Sequence, residues 1–227
     1  MRTKQRMATF VGLFVALGLP FVINALGLLF GAQREGALTP SRARLLIIEE
    51  WAVTLILLAI LLFWEKQPLT SIGFKKMSWQ DVGWGLVGFV VGAFSFVATT
   101  PIVTALGLGT TSGGINQLAE IPLGLRIGVV LTAGITEEIL SRGYPIERLY
   151  ALTHRLGLSA LIAYAAFVLL HIPFWGLGGT LQIGVWSIVV TLLYVKRRNL
   201  PACILMHILN DAYAFILLPM MFAQYLP

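Results

Sequence analysis

One interval of the chain, from Leu156 to Val195, contains no Asp, Glu, Lys or Arg in 40 consecutive residues. A membrane-crossing helix needs about 20 apolar residues, so this interval is long enough for two crossings. Pro173 and the glycines that follow it predict a break between two helices. Because the backbone must satisfy its own hydrogen bonds in lipid, a lipid-exposed open sheet is excluded and helices are expected.

The composition of the whole chain agrees with that interval. Of 227 residues, 58% are apolar and 11% are charged, and the mean hydropathy is +0.86, which is far above that of a soluble domain. We predict an all-α, polytopic transmembrane helical bundle of about seven spans, between six and eight, forming a single membrane-embedded domain over 1–227. The predicted spans are 8–32, 45–64, 82–106, 127–149, the two halves of 156–195, and a last span that begins near 200. The segment from Gly107 to Glu120 is expected to be a flexible loop.

The basic residues indicate how the chain is oriented in the membrane, and they do not indicate nucleic-acid binding. The net charge is +6, but the basic residues lie in small groups between apolar runs. Placing the N-terminus in the cytoplasm puts eleven of them inside and four outside, which favours that orientation by the positive-inside rule. The inner set is Arg2, Lys4, Arg6, Lys66, Lys75, Lys76, Arg148, Arg155, Lys196, Arg197 and Arg198, and the outer set is Arg34, Arg42, Arg44 and Arg126. The first apolar run is expected to be a retained span rather than a cleaved signal.

Several polar residues fall inside the predicted spans. They are Glu137, Glu138, Arg142, His171, His207 and Asp211. The four charged members of this set would cost on the order of 10 kcal/mol on an insertion scale if they had no partners. We therefore expect these side chains to be paired or to face a cavity. By contrast, Glu49 and Glu50 near the start of the second span are expected at the interface or bonded to neighbouring loops, with Glu50 facing the site as the lesser alternative.

Helix geometry predicts different roles for the two adjacent glutamates, Glu137 and Glu138. Glu138 and Arg142 are four positions apart and share one helix face, which predicts an ion pair. Glu137 is rotated by about 100° from Glu138 and does not share that partner. A free carboxylate of this kind can take a proton from water, and His171 is the candidate to assist it.

A second pair lies on the last span. His207 and Asp211 are also four apart, so the acid can orient the imidazole or stand beside it at a reacting oxygen. Asn210 is expected to reach the same region. One difficulty remains, because counting about 1.5 Å per residue along upright helices places His171 some 10 Å farther along the membrane normal than His207.

Other hydrolase classes fit the sequence less well. No H-E-x-x-H zinc motif occurs, and an aspartyl pair is excluded because Asp81 is at a loop boundary and only Asp211 lies in a span. Ser112 lacks a G-x-S-x-G elbow, which makes a serine mechanism a weak alternative. Cys203 lies four residues before His207, but a lone cysteine in an apolar helix is more often a small core residue.

Three motifs occur in order on three predicted spans. Residues 137–142 read E-E-I-L-S-R and fit E-E-x-x-x-R, Phe167 to His171 fits F-x-x-x-H, and His207 to Asp211 fits H-x-x-x-N/D. In this order they resemble the motifs of the CAAX-protease and bacteriocin-processing family, also called Abi. The resemblance covers roughly 123–218, which is the motif-bearing core of the chain.

The resemblance implies an intramembrane glutamate-dependent endopeptidase in which Glu137 and His171 activate a water. It implies that His207 and Asp211 stabilise the oxyanion, although the eukaryotic branch usually has asparagine where this chain has Asp211. We expect the supporting residues to be Glu138, Arg142, Asn210 and Phe167, and we expect neither a metal nor another cofactor.

Two alternatives stay open at this point. A bacteriocin-immunity or peptide-binding membrane protein could keep the bundle and use its cavity without proteolysis. A metal-dependent hydrolase could use Glu137, His171, His207 and Asp211 as ligands. The expected partners are the lipid bilayer and a peptide or protein substrate, with a prenylated C-terminus, a leader peptide or a signalling peptide as candidates, and no nucleic acid. A prokaryotic cell membrane is the expected location.

Overall fold

The computed structural model describes residues 3–29 and 38–221, and within those ranges the chain forms helices and turns and no strand. This confirms the all-α polytopic bundle that the hydropathy predicts. Two of the basic residues counted for orientation, Arg2 and Arg34, lie outside the described residues.

Seven helices correspond one to one with the predicted spans, and an eighth, short helix joins two of them in the described chain. We number them α1 (3–29), α2 (Pro40–Trp64), α3 (Trp79–Ala105), α4 (Ser112–Glu120), α5 (123–153), α6 (Leu156–Leu170), α7 (Ile172–Arg197) and α8 (Leu200–Met221). By length and composition, five of the described helices could cross a membrane, namely α1, α2, α3, α7 and α8. The short helix α4 lies in the 107–120 segment, where the sequence predicted only a flexible loop.

The starts of three helices follow from local hydrogen bonding. Thr39 caps α2, where its hydroxyl accepts from the Arg42 backbone N–H at 3.2 Å, and Pro40 follows at the first helical position. Ser78 begins α3 with a reciprocal capping box to Asp81. Asn199 caps α8 in the same way as Thr39 caps α2. The α2 cap shows that this helix begins at Pro40, five residues before the predicted start of the second span.

The predicted break near Pro173 is present. Helix α6 ends at Leu170, α7 begins at Ile172, and Gly176 has φ 65° and ψ 179°, a conformation available mainly to glycine. Two residues later, a Cβ on Gly178 would lie 2.2 Å from the carbonyl oxygen of Gly109. The glycines after Pro173 therefore let α7 restart against the loop that precedes α4.

Helix α7 is the centre of the bundle. Of its apolar stretch, 61% is buried, against 28% for α2 and α8 and 17% for α1 and α3. It packs against α3 and α6, while α5 packs against α2 and α8. Helix α5 contains a π-helical turn, Ile139–Gly143, between its two α-helical parts. Such a turn adds a residue to the helix, and α1, α2 and α8 contain one as well.

One end of the bundle, which we call the basic end, is formed by the starts of α1, α3, α6 and α8 and the ends of α2, α5 and α7. Glu65 is buried there and accepts hydrogen bonds from Thr9, Tyr144 and Arg148, at 2.8, 2.9 and 2.7 Å. Three helices are thereby tied to one carboxylate. We call the opposite end, which carries α4, the α4 end.

Replacing Tyr144 with phenylalanine tests how much this tie stabilises the bundle. Tyr144 is fully buried, and its hydroxyl donates to the Glu65 carboxylate. A lost hydrogen bond to a charged group costs about 1.5 to 3 kcal/mol, so we expect the free energy of unfolding to fall by that amount. Reversible unfolding in mixed micelles measures it, and an unchanged value would contradict a stabilising role for this contact.

Candidate active site

The residues of the three motifs meet in the middle of the bundle. Glu137 stands on α5 beside Glu138, His171 is the turn residue between α6 and α7, and His207 lies on α8. The Nε2 atoms of His171 and His207 are each 3.9 Å from Oε2 of Glu137. This distance is too long for a direct hydrogen bond and short enough for one water molecule to contact both groups.

Upright helices would separate His171 from His207 by about 10 Å along the membrane normal. The structure does not show this offset. His171 and His207 reach the same carboxylate oxygen, although α6 and α8 begin at the residues predicted for them. These two helices therefore do not run upright and parallel from a common level. A count of residues along each helix could not reveal this.

The hydrogen bond of His171 assigns its tautomer. Its Nδ1 lies 2.8 Å from the carbonyl oxygen of Phe167, one turn earlier on α6. A carbonyl only accepts, so Nδ1 carries the proton and donates it. In the neutral ring, Nε2 then has a free lone pair on the side of Glu137, where it can accept a proton from water.

Glu138 has two partners rather than one. Its Oε1 accepts from Arg142 Nη1 at 3.0 Å, the contact that the spacing predicted, and also from His207 Nδ1 at 2.8 Å. Glu138 and Arg142 are both fully buried. Because Glu138 carries the charge opposite to Arg142, it acts as an acceptor, so His207 donates through Nδ1 and turns Nε2 towards Glu137. Sequence spacing missed this contact, since it joins α5 to α8.

The Arg142 guanidinium is held by further groups. It donates to Ser141 at 2.9 Å and to Ser187 on α7 at 2.6 Å. Its carbon also lies 3.9 Å from the centre of the Phe167 ring, which is a cation–π contact. Phe167 in turn lies 4.4 Å from the His171 ring, centre to centre. Phe167 therefore links the ion pair to the histidine that it precedes by one turn.

Asp211 and Asn210 occupy different positions around His207. Oδ2 of Asp211 is 3.5 Å from His207 Nε2, so the acid stands on the same side of the ring as Glu137. Asn210 uses its amide N–H₂ to donate to the carbonyl of Met206 on its own helix, at 3.0 Å. Both side chains line the cavity described below. Asp211 therefore contacts the ring nitrogen of His207 that faces Glu137, whereas the amide nitrogen of Asn210 is used within its own helix.

For Glu50, the sequence favoured the membrane interface and left a position facing the site as the lesser alternative, and the structure places the residue in the site. Its Oε2 accepts a hydrogen bond of 2.7 Å from Thr136, the residue before Glu137. Its neighbour Trp51 donates to Thr132, one turn earlier on α5, at 3.0 Å. The early start of α2 at Pro40 moves Glu50 deeper into the bundle than the predicted start at Leu45 implied.

A cavity of about 610 Å³ joins these groups. Its lining is mostly apolar, and the polar groups converge at one place, as is usual for a ligand site. The predicted site residues that line it are Glu137, Phe167, His171, His207, Asn210 and Asp211. Over residues 3–29 and 38–221, no group of three or more His, Cys, Asp or Glu side chains is placed to hold a metal ion.

Comparison with known proteins finds a family similarity for part of the chain. Residues 119–213 match the family model described as type II CAAX prenyl endopeptidase Rce1-like. This segment contains all three motifs and excludes α1, α2 and α3. No curated protein and no solved structure matches the chain.

Proposed function

We propose, from the match of residues 119–213 to the type II CAAX prenyl endopeptidase Rce1-like family model, that this chain is an intramembrane endopeptidase that hydrolyses a peptide bond with an activated water. The family is a protease family, and the long apolar helices make the chain an integral membrane protein. The observation that carries the mechanism is the position of Glu137, whose carboxylate faces the imidazoles of both His171 and His207 in one cavity.

In the proposed reaction, water is the nucleophile. Its oxygen attacks the carbonyl carbon of the scissile bond while Glu137, assisted by Nε2 of His171, takes the proton. The tetrahedral intermediate then collapses, the C–N bond breaks, and the proton passes to the leaving amine. The products are a new carboxylate and a new amine, so atoms and charge balance without a covalent enzyme intermediate.

His207 and Asp211 would act on the oxygen that becomes negative. His207 Nδ1 donates to Glu138, so Nε2 can donate to the oxyanion when the ring is protonated on both nitrogens. Asp211 stands 3.5 Å from that atom and would hold the ring in its charged form or donate as an acid. Glu138 and Arg142 would position His207 rather than touch substrate.

A cleavage assay tests the proposed activity. The purified protein in lipid nanodiscs is incubated with a peptide library, and new termini are identified by mass spectrometry. We expect cleavage by the wild type and none by Glu137→Ala. If the biological function of the protein survives in Glu137→Ala, the immunity or peptide-binding alternative is favoured. The library should include prenylated C-terminal peptides and leader peptides, because both are proposed substrate classes.

Removal of metal ions tests the remaining alternative. Glu137, His171, His207 and Asp211 are ligand types that suit zinc, and a catalytic zinc enzyme loses activity when a chelator removes the ion. We expect peptide cleavage to persist after exhaustive chelation, and elemental analysis to detect no stoichiometric metal. Activity that disappears on chelation and returns with added zinc would contradict the side-chain mechanism.

A further inference from the structure

The carboxylate of Glu137 is not held in place by a hydrogen bond of its own. Its contacts with His171 and His207 are 3.9 Å long, and it has no closer polar partner among the residues that the structure describes. A group that takes a proton in a reaction must be held within about 0.5 Å of its working position. The position of Glu137 must therefore come from the residues beside it on α5.

Both sequence neighbours of Glu137 are bonded to other helices. Glu138 is bonded to α8, as described above. Thr136 is bonded to α2, because its hydroxyl lies 2.7 Å from Oε2 of Glu50. The same hydroxyl lies 2.8 Å from the carbonyl oxygen of Thr132, one turn earlier, so the side chain of Thr136 is also fixed within α5. Glu137 thus stands between two residues that other helices hold.

The contact of Glu50 with Thr136 is not needed merely to pack α2 against α5. Trp51, next to Glu50, already donates to the Thr132 hydroxyl at 3.0 Å, and it does so with a neutral N–H. Ionisable side chains inside membrane helices are expensive and usually mark a functional site. Glu50 also lines the cavity, whereas Thr136 is fully buried and is not one of the lining residues. A carboxylate at this place therefore indicates a role in the reaction as well as in packing.

We propose that Glu50 is a positioning residue, which holds Glu137 in its working position through Thr136. The inference rests on the proposed peptidase function, because a working position has meaning only for a reaction. Glu50 lies on α2, outside the segment 119–213 that matches the family model. The active site then depends on a residue that none of the three motifs contains.

Variants of the two bonded side chains test this claim. Glu50→Leu removes the acceptor and Thr136→Val removes the donor, with little change in shape. Each should lower kcat for a cleaved peptide by about a hundredfold and leave KM unchanged, because a displacement of about 1 Å at a catalytic group can cost that much. The double variant should lose no more than either single variant, since both break one contact. Glu50→Gln keeps an acceptor oxygen and should retain most of the turnover.

Trp51→Phe is the matched control. It removes the other hydrogen bond between α2 and α5 and keeps an aromatic ring, and Trp51 is not one of the residues that line the cavity. We expect its kcat to stay close to that of the wild type and its thermal stability to fall about as much as that of Thr136→Val. If Trp51→Phe lowered kcat as much as Thr136→Val, loosened packing of α2 would explain both losses and the proposal would fail.

A spectroscopic measurement tests the same claim without turnover. The chain contains three histidines, so the imidazole nitrogen resonances of isotope-labelled protein are few enough to assign. Nε2 of His171 and Nε2 of His207 face Glu137, and the exposed His154, just after the end of α5, is the internal reference. We expect the resonances of His171 and His207 to move in Thr136→Val, which changes no charge, and to stay in place in the control variant.

Three results would overturn the proposal. A loss in Glu50→Gln as large as that in Glu50→Leu would mean that the charge or the proton of Glu50 acts in the reaction. A raised KM at unchanged kcat would mean that Glu50 binds the substrate directly. Normal kcat and unmoved resonances in Thr136→Val would show that Thr136 does not position Glu137. A wild type that cleaves no peptide would contradict the proposed function alone, because the resonances still report whether Thr136 positions Glu137.

Discussion

Glu137→Gln is expected to lower the turnover of a cleaved peptide by about a thousandfold or more, which lies within the range attributed to general acid–base catalysis. Glutamine keeps the shape of the side chain but cannot take a proton from water, so the bundle should fold normally. His171→Ala is expected to cause a comparable loss, because it removes the second proton acceptor, which lies 3.9 Å from Glu137. Turnover measured at saturating peptide, with thermal unfolding as a check on folding, determines both effects.

Glu49→Gln is the matched control for this experiment. Glu49 also lines the cavity, lies on α2 and has no role in the proposed reaction. We expect its turnover to stay close to that of the wild type. Turnover of Glu137→Gln within a few-fold of wild type would contradict the assignment of Glu137 as the base. If Glu49→Gln lost as much turnover as Glu137→Gln, the loss of any charge in the cavity would be enough to stop the enzyme.

Glu138→Ala is expected to have two separate effects. It leaves Arg142 as a buried cation without its carboxylate, and breaking a buried pair in this way costs roughly 3 to 5 kcal/mol of stability. It also removes the acceptor that holds His207 Nδ1, so turnover per folded molecule should fall as well. Glu138→Gln keeps an acceptor oxygen and should be milder in both respects.

Glu65→Ala separates the two effects of Glu138→Ala. It also breaks a buried pair, with Arg148 at the basic end, far from the cavity. We expect a similar loss of stability and normal turnover per folded molecule. Reversible unfolding in mixed micelles and turnover corrected for the folded fraction measure the two quantities. Unchanged stability in Glu138→Ala, with activity eliminated, would make Glu138 a catalytic group and reverse the roles of the two glutamates.

The membrane fold could be predicted because lipid leaves few alternatives. Charge-free runs mark the spans, and Pro173 with its glycines marks the break between α6 and α7. Helix α4 was missed because Ser112, Gly113 and Gly114 are typical of a loop, although Ile115 and Leu118 share one face of the short helix. Its position also depends on a contact from Gln182 on α7. The π-helical turn Ile139–Gly143 has no comparable signal in the sequence.

The candidate site could be predicted within each helix but not between helices. The four-residue spacing indicated the contact of Glu138 with Arg142, whereas the bond from His207 to Glu138 joins two helices whose relative rotation no spacing reveals. Glu50 was misplaced for a simpler reason. The apolar run was taken to begin at Leu45, and the cap at Thr39 starts the helix earlier.

The central claim is that water, activated by Glu137 and His171, attacks the peptide bond directly. The most direct measurement is the intact mass of the wild-type protein, quenched while it turns over a peptide that it cleaves. Direct attack by water predicts two peptide products and a protein of unchanged mass at every time point. A protein whose mass rises during turnover by that of one peptide fragment would reveal a covalent intermediate and contradict the mechanism.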